Sequence, residues 1–170
     1  VGAGVIVVDA PRKFTILNNR LKYFIRQTTP VLFAKGKFPY SHIIVSLNST
    51  SPAYLLQTSL EISALSGVPL QVLYVAAPKS LRNAKMEAEL ADRQRIVRDY
   101  EALERINLTY TVLEGNPVRQ TLQYMQGFPN ALMVIGNNPK QHISPFEPHI
   151  PFLLTERLFS SILIIPSVPA

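Results

Sequence analysis

The sequence predicts an α/β protein in which helices cover both faces of a parallel sheet, and three observations lead to this fold class. Short apolar runs alternate with longer amphipathic segments from residue 41 onward. The apolar runs are continuous, which is typical of strands buried on both faces. Capping and turn signals separate the segments, so that each strand leads into a helix and each helix into a strand.

Residues 41–170 contain five predicted strands and four predicted helices in strict alternation. Ser51 and Pro52 suit the cap and first position of a helix, and Gly67 suits its end. Asn116 and Pro117 repeat this start signal before the third helix. Strands are predicted at residues 42–47, 70–75, 108–113, 131–135 and 162–165, with the second helix at 81–106 and the fourth at 152–159.

Residues 1–40 resemble the end of that domain. Residues 5–8 correspond to 132–135 and residues 31–34 correspond to 162–165, with a helical segment between the two strands in each case. We therefore expect two parts, a strand-helix-strand tail of a preceding similar copy (1–40) and a second domain (41–170). A chance match of the strand-helix-strand pattern is the alternative.

Composition excludes several classes of protein. An apolar content of 47% in 170 residues excludes a disordered chain. The absence of cysteine excludes disulfide scaffolds, cysteine-ligated zinc and thiol catalysis. The apolar runs are far shorter than the ~20 residues of a membrane-spanning helix. No secretory signal is visible, since no basic segment precedes residues 1–8. Because the chain starts at Val1 rather than at Met, just ahead of a predicted strand, we expect an excerpt of a longer polypeptide.

The net charge of +6 arises in the first forty residues, where seven basic residues face Asp9 alone. Phe14, Tyr23 and Phe24 lie among them, and basic patches with aromatic residues also occur in nucleic-acid sites. No nucleic-acid motif accompanies them, so we favour the solvated face of one helix and expect no nucleic-acid partner. The basic residues are Arg12, Lys13, Arg20, Lys22, Arg26, Lys35 and Lys37.

Several segments of residues 41–170 resemble the universal stress protein family. They are the run Ile-Ile-Val-Ser-Leu-Asn at 43–48, the strand at 70–75, Glu-Gly-Asn-Pro at 114–117, and residues 131–136. The resemblance implies a Rossmann-like fold of the adenine nucleotide alpha hydrolase type, with a five-stranded parallel sheet in the order 3-2-1-4-5. It also implies a switch point between the first and fourth strands, where ligands bind in such sheets.

Two loops meet at that switch point and form the predicted ligand site. They place amides and hydroxyls at a helix N-terminus, which favours phosphate. The candidate ligand-binding residues are Asn48, Ser49, Thr50, Ser51, Gly136, Asn137 and Asn138.

The resemblance also implies that the triphosphate site is degenerate. In the ATP-binding branch, a glycine is followed after two residues by a second glycine, and after nine more by glycine and Ser or Thr. Here Gly136 matches the first glycine, Pro139 stands at the second, and His149 and Ile150 stand at the final pair. Asn48 replaces the family's adenine-side aspartate. Since proline removes an N–H group, we expect no ATP cofactor, while another nucleotide or an anion remains open.

Catalytic and metal sites have little support in the sequence. His142, Glu147 and His149 lie on one loop, but their spacing does not match zinc ligands, and exposed loop polarity is favoured. The serines at 46–51 lack a nucleophile elbow, and no histidine is placed against a serine and a carboxylate. We therefore expect neither a metal site nor an enzyme.

The last strand is expected to be the outer strand of the sheet. An exposed apolar edge invites pairing, and a similar strand is available from the preceding copy. We expect these strands to pair within the chain as a pseudo-dimer, or with a second molecule as a homodimer. The residues of this predicted interface are Ile162, Leu163, Ile164 and Ile165, together with Val31, Leu32 and Phe33.

Three functions are compatible with these features. The favoured one is a noncatalytic regulatory domain on the cytoplasmic side of a membrane transporter for ions or amino acids, whose membrane domain would be a partner. The second is a soluble, cytoplasmic tandem universal stress protein with a degenerate nucleotide site. An ATP-hydrolysing stress protein is the third, and the missing glycines argue against it.

Overall fold

The computed structural model of the chain describes residues 4–10, 18–35, 38–141 and 149–167, the side chains of 18–20 excepted. Seven strands and five α-helices lie within these ranges. The strands are β1 (Ile6–Asp9), β2 (Val31–Ala34), β3 (His42–Ser46), β4 (Leu70–Ala76), β5 (Thr109–Glu114), β6 (Ala131–Asn137) and β7 (Ser161–Pro166). The helices are α1 (Asn18–Ile25), α2 (Pro52–Ser66), α3 (Ala84–Glu104), α4 (Pro117–Met125) and α5 (Ile150–Arg157).

One mostly parallel sheet contains all seven strands, in the order β1-β2-β7-β6-β3-β4-β5. The α/β class is therefore confirmed, but the predicted five-stranded sheet is wrong in strand number. Strands β3 to β7 lie in the relative order β5-β4-β3-β6-β7, and β2 and β1 extend the sheet beyond β7. The β2–β7 pair is antiparallel, whereas the other neighbouring pairs are parallel.

Strand β7 is not the outer strand that the sequence predicted, because β2 covers its free edge. Residues 161–165 and the alternate residues Val31 and Phe33 are buried as a result. This pairing removes apolar strand surface from water, which explains why the edge does not stay open. The paired positions are Val31 with Ile164, Leu32 with Leu163, and Phe33 with Ile162.

Two apolar layers hold the helices on the sheet. Alternate strand residues point to opposite faces, so Ile44 and Met133 belong to one layer while Val45 and Val134 belong to the other. The first layer contains residues of α1, α4 and α5, and the second contains residues of α2 and α3. Within the described part of the chain, no helix is both long and apolar enough to cross a membrane.

Helix ends follow most of the predicted signals. Gly67 ends α2 with φ of 70°, and its N–H donates to the Ser63 carbonyl, as predicted. The Asn116 side chain accepts from the Arg119 N–H at 3.0 Å and so caps α4. Ser51 precedes α2 without making the predicted side-chain cap.

Lys35 departs from the expected solvated basic face. Its side chain is buried, and Nζ donates to the carbonyls of Thr155 and Leu158 at the end of α5. Burial lowers the pKa of Lys35 to about 8, and Glu156 opposes this shift. Lys35 therefore connects β2 to the second part of the chain. The other residues of the expected basic face include Arg12, Lys13, Phe14 and Lys37, which lie outside the described residues.

Candidate functional site

A cleft of about 390 Å³ lies at the carboxyl ends of β3, β4 and β6, where the topology placed the ligand site. Helix α3 and the start of α5 form its other walls. Both predicted loops reach this cleft, so the structure brings the two segments together. The predicted residues that line it are Asn48, Ser49, Thr50, Gly136 and Asn137.

The other two predicted residues, Ser51 and Asn138, do not line the cleft. Asn138 begins a turn, in which its side chain accepts from the Lys140 N–H at 3.0 Å and its carbonyl accepts from the Gln141 N–H at 3.0 Å. This turn engages both oxygens of Asn138 and contains Pro139. The position of the family's second glycine is thus part of a closed turn.

Asn48 holds two strands together. Its Nδ2 donates to the Val75 carbonyl at 2.8 Å, and its Oδ1 accepts from the Val75 N–H at 2.9 Å. The Ser46 hydroxyl also donates to Oδ1, at 3.3 Å. An aspartate could not donate to the Val75 carbonyl, so asparagine is required for the full contact. The amide therefore stabilises β3 against β4, and its hydrogen-bonding capacity is largely used.

Gly136 is required by close packing. A Cβ built on this residue would lie 2.9 Å from the Ser49 Cβ, and closer still to the Ser49 Oγ. The loop after β3 therefore lies directly against the backbone of β6. This contact is a sufficient reason for glycine, whether or not a phosphate binds.

Arg93 is a residue of the cleft that the sequence did not predict. Its Nε donates to the Leu47 carbonyl at 3.0 Å, and one terminal nitrogen donates to the Ser49 carbonyl at 3.2 Å. The other terminal nitrogen pairs with Asp92 at 2.9 Å. The available signal was its spacing from Ile96 and Val97, which places Arg93 on the buried face of α3.

Tyr74 and Glu89 complete the wall beside Arg93. The guanidinium carbon lies 5.9 Å from the centroid of the Tyr74 ring, within the range of a cation–π contact. Burial raises the pKa of Tyr74, and Arg93 opposes this shift. Glu89 is exposed and adds a carboxylate to the cleft.

Asn137 and His149 are buried polar residues near the cleft. The Asn137 Nδ2 donates to the Ile25 carbonyl at 2.6 Å, while its buried Oδ1 has no partner among the described residues. His149 Nδ1 accepts from the Phe152 N–H at 3.2 Å and caps α5, which places the proton of the neutral ring on Nε2. Burial lowers the pKa of His149. The expected loop exposure is thus wrong for His149, and His142 and Glu147 lie outside the described residues.

The chemistry available in the cleft is hydrogen bonding more than charge. Arg93 is the one cation among the described lining residues, and its nitrogens already contact two carbonyls and Asp92. A ligand with several negative charges would need to displace these contacts. In the described part of the chain, no three His, Asp or Glu side chains lie together as metal ligands would.

Comparison with known proteins gives a structural resemblance. No family model and no curated protein matches the sequence. A universal stress protein structure from Pseudomonas aeruginosa has a TM-score of 0.66 and 16% identity, covering 96% of this chain and 63% of its own. One from Archaeoglobus fulgidus has a TM-score of 0.66 and 11% identity, covering 95% of this chain and 60% of its own.

A third neighbour is covered almost over its whole length. This universal stress protein, solved in complex with cAMP, has a TM-score of 0.58 and 19% identity, covering 76% of this chain and 98% of its own. The chain thus has the α/β fold of universal stress proteins. It spans under two thirds of the length of the first two neighbours, whereas it contains the fold of the third almost whole.

Proposed function

We propose that the chain is a noncatalytic regulatory domain of the universal stress protein type, in which two related α/β units pair through their last strands. The observation that carries this proposal is the antiparallel pairing of β2 with β7. Residues 1–40 would be the tail of one unit and residues 41–170 the other. The fold neighbours support the type of domain.

The strand registers support the presence of two related units. Leu32 faces Leu163 at the centre of the antiparallel pair. On one side Val7 lies beside Leu32 in a parallel pair, and on the other Val134 lies beside Leu163 in a parallel pair. Helix α1 connects the first pair of strands and α5 connects the second. The two strand-helix-strand units are therefore related by an approximate two-fold axis.

Weak or absent ATP binding is part of the proposal. The Asn48 amide is hydrogen-bonded to the Val75 backbone, and the Arg93 guanidinium is hydrogen-bonded to two carbonyls and paired with Asp92. Pro139 lies in a turn that offers no N–H at that position. These contacts would have to break before a triphosphate gained hydrogen bonds of its own.

Titration calorimetry with Mg-ATP, together with an assay of ADP release, tests this part. We expect a dissociation constant above about 1 mM, which corresponds to a binding free energy weaker than about 4 kcal/mol. We also expect no ATP turnover above the rate in buffer alone. Pro139→Gly should change neither result, because Asn48 and Arg93 remain engaged. A dissociation constant in the low micromolar range, or turnover that depends on the protein, would overturn it.

Binding of a nucleotide with less charge, or of another small anion, is the second candidate, and the cleft itself favours it. Cyclic AMP has one negative charge and so requires fewer cations than ATP. Calorimetry with cAMP can be compared for the native chain and for Thr50→Tyr, which would fill the cleft. Thr109→Tyr, at an exposed position on β5, is the matched control. Binding that survives Thr50→Tyr would place the ligand elsewhere.

The favoured form of the proposal makes this chain the cytoplasmic regulatory domain of a transporter, with the membrane domain as its partner. The excess of basic residues in 1–40 supports this form. The other form is a tandem stress protein. The coding sequence around this segment distinguishes them, because about ten or more apolar segments of ~20 residues indicate a transporter, and a further α/β domain indicates a stress protein.

A further inference from the structure

A second groove, of about 680 Å³, lies between α4 and α5, away from the cleft at the switch point. Its floor contains the apolar residues Val118, Leu122 and Leu153, which also contact the first apolar layer. Its rim contains Arg119 on α4 and Arg157 on α5, together with amide side chains. The groove thus has an apolar floor and a polar, cationic rim.

The positive charge of this rim is uncompensated. Arg119 and Arg157 are both exposed, and no ion pair connects either of them to a described carboxylate. The described lining of the groove contains no Asp or Glu. Glu114, which precedes α4, contacts Arg82 at 2.5 Å instead. The groove therefore presents a cationic surface that the described part of the fold does not neutralise.

The stability of α4 does not explain Arg119. This residue lies in the first turn of the helix, where the backbone dipole is positive and a cation is unfavourable. Arg157 lies in the last turn of α5, where a cation is favourable. Among the described residues no ion pair gives Arg119 a structural role, and its charge adds to that of Arg157.

The shape of the groove indicates an elongated ligand. Helix α4 and its C-cap residue place three polar side chains along the groove at intervals of four and three residues, which corresponds to a stripe of about 10 Å. These residues are Arg119, Gln123 and Gln126. A compact anion would contact only one end of this stripe. An apolar floor beside a polar rim is the usual surface for an amphipathic helix in a groove.

We propose that the α4–α5 groove docks an acidic, amphipathic helix of a partner protein. Apolar side chains on one face of this helix pack on Leu122 and Leu153, and its carboxylates pair with Arg119 and Arg157. This interaction does not depend on a ligand in the switch-point cleft. It gives the domain a surface through which a second protein is recognised by charge and shape.

The test uses a phage-displayed library of peptides of about twelve residues, selected on the whole chain and counter-selected on the Arg119→Glu/Arg157→Glu variant. We expect enriched peptides with Asp or Glu and with Leu-like residues spaced three or four apart. Fluorescence anisotropy of one enriched peptide should show at least a tenfold loss of affinity in the double variant. Arg98→Glu, at an exposed position on α3, should leave the affinity unchanged.

Three results would overturn the proposal: no enrichment of acidic peptides, equal affinity for the double variant, or complete displacement of the peptide by inorganic phosphate at constant ionic strength. The last result would assign the arginines to a small anion. Thermal melts check that the variants fold. If the double glutamate variant does not fold, the Arg119→Gln/Arg157→Gln variant takes its place, with the same direction of change expected.

Discussion

Gly136 lies at the end of β6 against the loop that leaves β3, and alanine at this position measures how closely the two segments pack. The added Cβ would lie 2.9 Å from the Ser49 Cβ and 3.5 Å from the Leu55 Cδ2. The Ser49 hydroxyl can rotate away, but its Cβ cannot, so the backbone of the loop or of a central strand must shift. Overpacking of this kind costs ~1–3 kcal/mol, and we expect a loss of about 2 kcal/mol in the free energy of unfolding.

Urea unfolding measures this loss, and Gly127→Ala is the matched control. A Cβ on Gly127 would meet the Tyr124 carbonyl oxygen at 3.5 Å, an ordinary contact, so we expect a change within about 0.5 kcal/mol. Adding Ser49→Gly to Gly136→Ala removes the obstructing atoms, and the two changes should be non-additive by about 1 kcal/mol or more. Equal midpoints for the two alanine variants, or strict additivity, would refute the packing argument.

Three further predictions concern the strand interface, a buried amine and the Asn48 contact. Ile164→Lys places an unpaired ammonium in the β2–β7 interface and should lower the free energy of unfolding by ~3 kcal/mol or more, whereas Arg98→Glu should lower it little. Thermal melts and light scattering measure the effect, and equal melting temperatures for the two variants would contradict the prediction. Because burial lowers the pKa of Lys35 to about 8, the unfolded chain binds more protons between that pH and 10.5, so the free energy of unfolding should rise from about pH 7 to about pH 9. Urea midpoints should show this rise, and Lys35→Met should flatten it. Asn48→Asp places a carboxylate against the Val75 carbonyl, which raises the folded-state pKa of that carboxylate. Relative to the native chain, the variant should be less stable by ~1–3 kcal/mol at pH 7 and should recover stability towards about pH 4. A stability difference that does not depend on pH would refute this argument.

Local signals predicted most elements but not the size of the sheet. Each strand and helix has a local pattern, such as the glycine that ends α2 or the asparagine and proline that begin α4. The pairing of β2 with β7 joins segments far apart in the sequence, and their apolar edges left pairing within the chain and pairing with a second molecule equally open. Helical spacing of apolar residues also predicts burial on α3 only in part. Ile96 and Val97 are buried, but Leu103, in the last turn, is 73% exposed. The spacing of apolar residues along a helix does not show where the element that covers the helix ends.

The position of the cleft was more predictable than the contacts of the residues that line it. The topology alone places the loops after β3 and β6 together at the switch point. The hydrogen bonds of Asn48 to β4 can be predicted only when the neighbouring strand is known. The contacts of Arg93 can be predicted only when the position of α3 over the sheet is known. His149 was predicted to be exposed because it lies on a polar loop, but it caps a helix that begins earlier than its apolar run indicates.

Reciprocal side-chain hydrogen bonds stabilise the two ends of the β2–β7 interface. Asn137 donates to the Ile25 carbonyl, and Lys35 donates to the carbonyls of Thr155 and Leu158. Each half thus supplies the donor that satisfies the last turn of a helix in the other half. These contacts and the β2–β7 pair join residues 1–35 to residues 41–170 without involving the peptide connection between residues 35 and 42. A chain cleaved there should behave as a pair of complementing fragments, in which a synthetic peptide of residues 1–35 exchanges with the resident segment at a rate set by the opening of the strand pair.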